Sequence, residues 1–304
     1  MRKIVYMMND RIKHSDTITV LDGLRKNESL SSREIREIQW EKLYAITNYA
    51  YEYVPFYHQL WKKHGIHPAK LESPDMFSQK ITVMTKEDVR NNFDLLRSTR
   101  PLRGSYMVHT SGTTGSPASF LRDGLARSWS LAGRFRGRSW WGADMFDTEF
   151  RFWGVYTNVS FSHKEEIRDR IKRLKDRLTG IYYYSTKHTD DKHLAGIVHA
   201  LEKKQPAVIL AYASALYVLS RYCKEHAVSL RHIPIKVCTY TAEIFLEEQK
   251  KTAEEVFGPR LASEYGSKEN GIIAFECPGN TVHIMEEDVY LESIPFEDDD
   301  NQLI

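Results

Sequence analysis

The stretch Ala207-Val208-Ile209-Leu210-Ala211-Tyr212-Ala213-Ser214 decides the fold. Residues 207–211 are a continuous apolar run, the pattern of a strand buried on both faces. A helix carrying Leu216, Leu219 and Tyr222 at helical spacing follows. The alternation repeats on either side. Upstream, 181–185 reads as a strand and 189–204 as a helix. Downstream, 235–239 reads as a strand, followed by a helix through Val256 and Phe257 with Gly258 beyond it; 261–265 is the last clear strand. Strand and helix in alternation predict an α/β fold, a mostly parallel sheet covered by helices.

In open parallel sheets, ligands bind beyond the carboxyl ends of the strands. Three strand ends read Tyr212-Ala213-Ser214, Thr241-Ala242-Glu243 and Tyr265-Gly266-Ser267-Lys268-Glu269. Parallel packing predicts that all three project to one edge. Taken singly, Glu243 and Glu269 read equally as surface carboxylates. At corresponding strand ends they read as groups facing one ligand. Carboxylates, phosphate donors and aromatic walls together suit a nucleotide with a divalent metal.

The phosphate donors come from Thr110-Ser111-Gly112-Thr113-Thr114-Gly115-Ser116-Pro117. Its glycines free the backbone, and its hydroxyls and N–H groups are donors, so such a loop can wrap phosphate oxygens. The alternating segment Tyr106-Met107-Val108 enters it as a buried strand. A Ser/Thr/Gly linker shares the composition, but it needs neither a buried strand before it nor a single Pro after it. The common P-loop requires Gly-Lys-Ser/Thr, whereas Ser116, Pro117 and Ala118 follow Gly115.

The 304 residues allow one large domain or two small ones. Lys+Arg 43 against Asp+Glu 41 gives a net charge of +2, which argues against nucleic acid as a partner. Seventeen tyrosines and six tryptophans exceed what a plain core needs and predict an aromatic pocket or interface. Three widely spaced cysteines, Cys223, Cys238 and Cys277, form no disulfide framework, the pattern of a reducing, cytoplasmic location. No run approaches the ~20 apolar residues of a membrane span.

Before the loop, residues 1–28 are weakly patterned. Ser31-x-x-Glu34 reads as a capping box opening a helix that ends at Val54-Pro55. A second helix stops at Gly65, and Thr85-x-x-Asp88 opens a third carrying Val89, Phe93 and Leu96. Residues 1–98 are expected to form a helical leader on the main domain, and 99–304 the α/β nucleotide-binding region. Residues 105–156 read as strands around the loop. Ser162-x-x-Glu165 caps a helix with Ile167, Ile171, Leu174 and Leu178 on one stripe, and its Lys and Arg residues alternate with Glu165, Glu166, Asp169 and Asp176, the pattern of a solvated face.

These residues resemble a known family. The stretch 110–117 looks like the phosphate-binding loop of the acyl-adenylating superfamily, and Glu264-Tyr265-Gly266-Ser267-Lys268-Glu269 like its Tyr-Gly-x-Thr-Glu motif. Thr241-Ala242-Glu243 looks like its adenine-lining turn. The phenylacetate–CoA ligase-like branch with the capsule-synthesis CapK proteins is the nearer match. Tyr49-Ala50-Tyr51-Glu52-Tyr53-Val54-Pro55-Phe56-Tyr57, Thr85-Lys86-Glu87-Asp88, Trp140-Trp141-Gly142 and Ile273-Ala274-Phe275-Glu276-Cys277 are similar to segments of that branch, in order over roughly 30–294.

The resemblance implies the large N-terminal domain of the acyl-adenylating fold, with ATP and Mg²⁺ as ligands, a small carboxylic acid as substrate, and CoA or another thiol or amine as acceptor. Thr110, Ser111, Gly112, Thr113, Thr114 and Gly115 would hold the triphosphate, with Thr113, Thr114 and Glu269 as the catalytic groups. Ala242 and Glu243 would border the adenine, with Glu264 nearby. Tyr265 and Gly266 would pack on the base, Ser267 would lie by the α-phosphate, and Glu269 would hold Mg²⁺. Tyr212, Ser214 and Trp153 would line the acyl pocket. The family's loop Lys is Ala118 here, and Lys268 replaces the usual Thr. The family continues with an Arg-Tyr-x-x-Gly-Asp segment and a mobile domain, while this chain stops at Ile304, which reads as a cut before the C-terminal domain and an incomplete β portion. Apolar surface is expected around Val289, Leu291 and Ile294. Two other readings stay open: a relative that binds nucleotide or a partner without turnover, and a metal-dependent sugar nucleotidyl transferase. Cys277 and His283 have only Glu276, Cys238 and Glu286 to complete a four-ligand zinc site, so zinc is not expected.

Overall fold

The computed structural model describes residues 2–110, 119–154, 171, 174–294 and 302–303. They divide into two units. Unit 1 comprises Met1–Arg11, Leu131–Gly266 and Ile272–His283; unit 2 comprises Ile12–Ser130, Ser267–Gly271 and Ile284–Ile304.

Unit 1 is built on a seven-stranded sheet. Its strands are β3 (Glu149–Trp153), β4 (Ile181–Ser185), β5 (Val208–Tyr212), β6 (Val237–Thr241), β7 (Leu261–Ser267), β8 (Gly271–Glu276) and β9 (Val282–Ile284). The order is β4-β3-β5-β6-β7-β8-β9. Every pairing from β4 to β7 is parallel, as the alternation predicted. The helices of unit 1 are α8 (Asp191–Lys204), α9 (Ala213–Glu225) and α10 (Glu247–Phe257), with α1 (Arg2–Lys13) as far as Arg11 and α7 (Gly124–Trp140) from Leu131 onward. The core joins Phe150 and Phe152 of β3 and Ile209 and Ala211 of β5 to Leu194, Ile197 and Leu201 of α8 and Leu216 and Leu219 of α9. Val208, Ile209, Leu210 and Ala211 are all buried, which is why 207–211 carries no polar alternation.

Two parts of unit 1 differ from the sequence reading. Residues 124–140 form a 17-residue helix rather than strands. Gly133 and Gly137 lower its intrinsic propensity, but a Cβ at Gly137 would come 2.3 Å from the Phe275 ring, so only glycine lets α7 lie against β8. The sheet also continues past 261–265: β8 is buried along its whole length. The helix read from Ser162 lies mostly outside the described residues; Ile171 and residues 174–179 are helical.

A buried charge cluster sits at the amino end of β3. Glu149 accepts from Arg138 Nη2 at 3.0 Å and from Arg151 Nε and Nη2 at 2.7 and 2.9 Å; Arg151 Nη1 donates to the Tyr183 hydroxyl at 2.8 Å. Burial alone pushes the Glu149 carboxyl up, but the two guanidinium charges overcome it and hold it well below the usual carboxylate range.

Unit 2 contains α2 (Thr17–Asn27), α3 (Ser32–Tyr53), α4 (Pro55–Lys63), α5 (Pro74–Lys80), α6 (Lys86–Asn91) and two small sheets, β1 (Tyr106–His109) with β2 (Ser119–Arg122) and β10 (Ser293–Ile294) with β11 (Gln302–Leu303). The capping box at Ser31 and Glu34 is present, and Val54-Pro55 ends α3 and starts α4. The weakly patterned start is helical in α1 and α2, and α6 stops at Asn91, short of Phe93 and Leu96. Val289 and Leu291 are half-buried, not exposed. Gln39 of α3 donates to the Val289 carbonyl at 2.9 Å, and Lys42 donates to the Glu287 carbonyl at 2.7 Å; Ile294 is placed in β10.

Candidate functional site

The register brings the three strand ends of unit 1 level. Tyr212 is paired with Thr241, and Thr241 with Glu264. Because β5, β6 and β7 are parallel, their carboxyl ends share one edge, where ligands bind in open α/β sheets. Phe152 is paired with Ala211, so Trp153 of β3 reaches the same edge. Its ring stacks on Tyr212 at 4.5 Å and 18°.

Behind this wall the two glutamates play different parts. Glu243 Oε2 accepts from the Ser214 backbone N–H at 2.8 Å. Ser214 is in the first turn of α9, which has no side-chain cap at Tyr212 and no acidic residue in that turn. Glu243 therefore supplies from the β6 turn the negative group a helix start favours. Ala242 next to it has φ of +69°, in the left-handed region that a non-glycine residue seldom adopts. Burial, then the Glu243 charge, raises the Tyr212 phenol above its ordinary value.

Glu264 is buried. Its two oxygens accept from Arg134 Nη2 at 2.7 Å and Nε at 2.9 Å, a two-pronged pair between β7 and α7. The next residue, Tyr265, is 48% exposed. The edge thus presents an open tyrosine just past a locked carboxylate. Deeper in the sheet, Glu276 Oε2 accepts from the Ser263 N–H at 2.8 Å, and Oε1 lies 3.4 Å from Lys250 Nζ. Burial, then the charge of Glu276, pushes the neighbouring Tyr240 phenol up to about 12.

In unit 2, β1 and β2 pair antiparallel, with His109 opposite Ser119. The stretch 110–118 therefore joins two paired residues. Thr110 is described; Ser111, Gly112, Thr113, Thr114 and Gly115 lie outside the described residues. The strand before the loop is not buried as expected: Met107 and His109 are exposed, because β1 pairs with β2 alone. His109 Nδ1 is 2.9 Å from Ser119 Oγ. The turn Ser267–Gly271 is held by its own Asn270 N–H donating to Ser267 Oγ at 3.0 Å, and by Arg122 Nη2 donating to the Asn270 carbonyl at 3.3 Å. Glu269 on this turn is half-buried and engaged in no ion pair among the described residues. Mg²⁺ is usually held by one or two carboxylates together with phosphate oxygens, and a single free carboxylate of this kind fits that need. Among the described residues no group of three or more His, Cys, Asp or Glu side chains could hold a metal. His283 packs edge-on against Trp140 at 5.2 Å.

Known proteins share parts of this sequence and its fold. No protein-family profile matches the chain. Over 247 residues it is 22% identical to Protein CapK of Staphylococcus aureus, covering 78% of this chain and 51% of that protein. Over 103 residues it is 33% identical to the phenylacetate–coenzyme A ligase of Escherichia coli K12, covering 33% of this chain and 22% of that enzyme. The fold matches a 2-hydroxyisobutyryl-CoA ligase in complex with 2-HIB-AMP and CoA, with a TM-score of 0.64 and 17% identity over 88% of this chain and 62% of that one. The chain is similar in sequence to CapK and to phenylacetate–CoA ligase, and in fold to an acyl-CoA ligase. It spans about half the length of CapK.

Sequence reading missed Arg134 and Arg122. Both lie in the stretch 119–140. A signal was present: Arg134 and Arg138 are spaced i, i+4 around Ala132 and Phe135, two cations on an apolar helix face that call for buried acidic partners.

Proposed function

We propose that this chain is the nucleotide-binding part of an enzyme that activates a carboxylic acid with ATP. The observation that carries this reading is the level edge of β5, β6 and β7, running into Tyr265-Gly266-Ser267-Lys268-Glu269, in a chain similar to phenylacetate–CoA ligase. The acid's carboxylate oxygen attacks the α-phosphorus, the bond to the bridging oxygen breaks, and pyrophosphate leaves with the electron pair. The product is an acyl-adenylate. A thiol such as CoA, or an amine, then attacks the acyl carbon and releases AMP.

The roles proposed for the residues follow from their chemistry. Donors of 110–115 bind the triphosphate; the hydroxyls of Thr113 and Thr114 meet charge that grows on the phosphate oxygens. Tyr265 packs on the base and Ser267 sits by the α-phosphate. Trp153, Tyr212 and Ser214 line the acid. Glu269 would hold Mg²⁺, which when bound neutralises phosphate charge. Glu243 and Glu264 act behind them, by holding the α9 start and the end of β7. Likeness to CapK extends the reading to an acid used in capsule or surface-polysaccharide synthesis. No described helix is long and apolar enough to cross a membrane.

Calorimetry of Mg·ATP binding and acid-dependent pyrophosphate exchange test the proposal. Thr113→Val with Thr114→Val should lose about 1.5–3 kcal/mol of ATP affinity, or one to two decades. Glu269→Gln should weaken Mg·ATP binding and leave the melting temperature near wild type. ATP binding indifferent to all three changes would refute it. A second reading, nucleotide binding without turnover, is favoured by Ala118 standing where the family has a lysine. Retained binding with no exchange for any acid tried would select it.

A further inference from the structure

Two helices of unit 1 are docked with their apolar faces outward. Helix α1 buries Tyr6 and Asp10. The Tyr6 ring meets Phe135 and Phe146 edge-on, each at 5.9 Å. Arg2 donates to the Phe146 carbonyl and to Thr148 Oγ1. Ile4, Met7 and Met8 face away and are 53–62% exposed. Helical residues 174–179 repeat the pattern: Asp176 and Thr179 are buried, while Leu174 and Leu178 are exposed, as is Ile171 before them. An ordinary surface helix does the reverse.

The two outward faces adjoin. Lys175 Nζ donates to Asn9 Oδ1 at 3.3 Å. The Arg2 guanidinium lies over Gly180, where a Cβ would meet it at 2.6 Å. Six apolar side chains therefore share one flank, and contiguous exposed apolar surface marks an interaction site.

Charge selects the partner. The only acidic residues in these two segments, Asp10 and Asp176, are buried, while Lys3, Arg11 and Arg177 are exposed. An apolar patch whose described segments expose cations and no acidic residue fits an anionic lipid surface: the apolar side chains enter the headgroup–acyl boundary and the cations meet phosphates. A second copy would bring the same cations face to face, which is repulsive. We propose that the adjoining outward faces of α1 and of residues 171 and 174–179 dock this chain on the surface of an anionic membrane.

Flotation of the 304-residue chain with vesicles tests this, comparing pure phosphatidylcholine with phosphatidylcholine mixed with phosphatidylglycerol. The chain should float with the mixed vesicles and little with the neutral ones. Ile4→Ser, Met8→Ser and Leu174→Ser together should abolish flotation. Lys3→Ala, Arg11→Ala and Arg177→Ala together should lower partitioning about a hundredfold, roughly fivefold for each cation. All six side chains are exposed, and circular dichroism checks that both variants stay folded. Three results would overturn the proposal: no flotation of wild type with mixed vesicles, flotation indifferent to the serine changes, or a wild-type oligomer that the serine changes render monomeric with no flotation in either form.

Discussion

Glu264 and Tyr265 are neighbours in the chain with opposite commitments. Glu264 is spent on Arg134, which is itself only 19% exposed at the side chain. Breaking such a pair leaves a cation with little solvent to stabilise it. Glu264→Gln should therefore cost about 3 kcal/mol of stability, read as a fall in the denaturation midpoint at constant slope. Tyr265→Ala removes an open side chain and should change stability by less than about 1 kcal/mol, while weakening nucleotide binding if the proposed stacking holds. Equal losses of stability in the two variants would mean that Tyr265 is a packing residue and not a ligand-facing one.

At the level of elements, the parallel core was legible because its pattern is redundant. Residues 207–211 are buried on both faces, and each strand from 181 to 241 is followed by a helix with its own apolar stripe. The elements that escaped carry mixed signals. Helix α7 holds three glycines, one of them required by Phe275, and buries Arg136 and Arg138 along with Ala132 and Phe135. Strand β8 follows β7 after one short turn and has no helix to announce it. Of the site, the shared edge could be read from the alternation. The α9 cap could not, since Ser214 and Glu243 are 29 residues apart and nothing in composition pairs them. That cap makes its own prediction. Glu243→Ala should destabilise the start of α9 by about 1 kcal/mol, seen as faster amide exchange in its first turn. Glu243→Gln, which keeps an acceptor, should lose less than half of that. Exchange unchanged by the alanine would remove Glu243 from the capping role.

For the whole molecule, the Glu149 cluster sets how stability responds to acid. It joins α7, β3 and β4 through Arg138, Arg151 and Tyr183. The folded carboxyl titrates below its unfolded value of about 4.3. Its contribution is therefore complete above that value and is lost as pH falls through the acid range toward the folded value. Glu149→Gln should cost about 3 kcal/mol at neutral pH, since two buried guanidinium groups lose their partner. The gap between wild type and variant should then close progressively below about pH 4. Urea titrations from pH 7 to about pH 2.5 would measure it; a gap independent of pH would place the stabilisation elsewhere.

The docking of α1 also has a temporal side. Arg2 reaches Phe146 and Thr148 across 144 and 146 positions of the chain, and Tyr6 waits for Phe135 and Phe146. During synthesis at about 5–20 residues per second, α1 leaves the ribosome roughly 7–30 s before its docking partners exist. Throughout that interval both of its faces are open, the aromatic one that will be covered and the aliphatic one that will not. The aliphatic side thus meets its surroundings well before the sheet that carries the strand-end turns has been made.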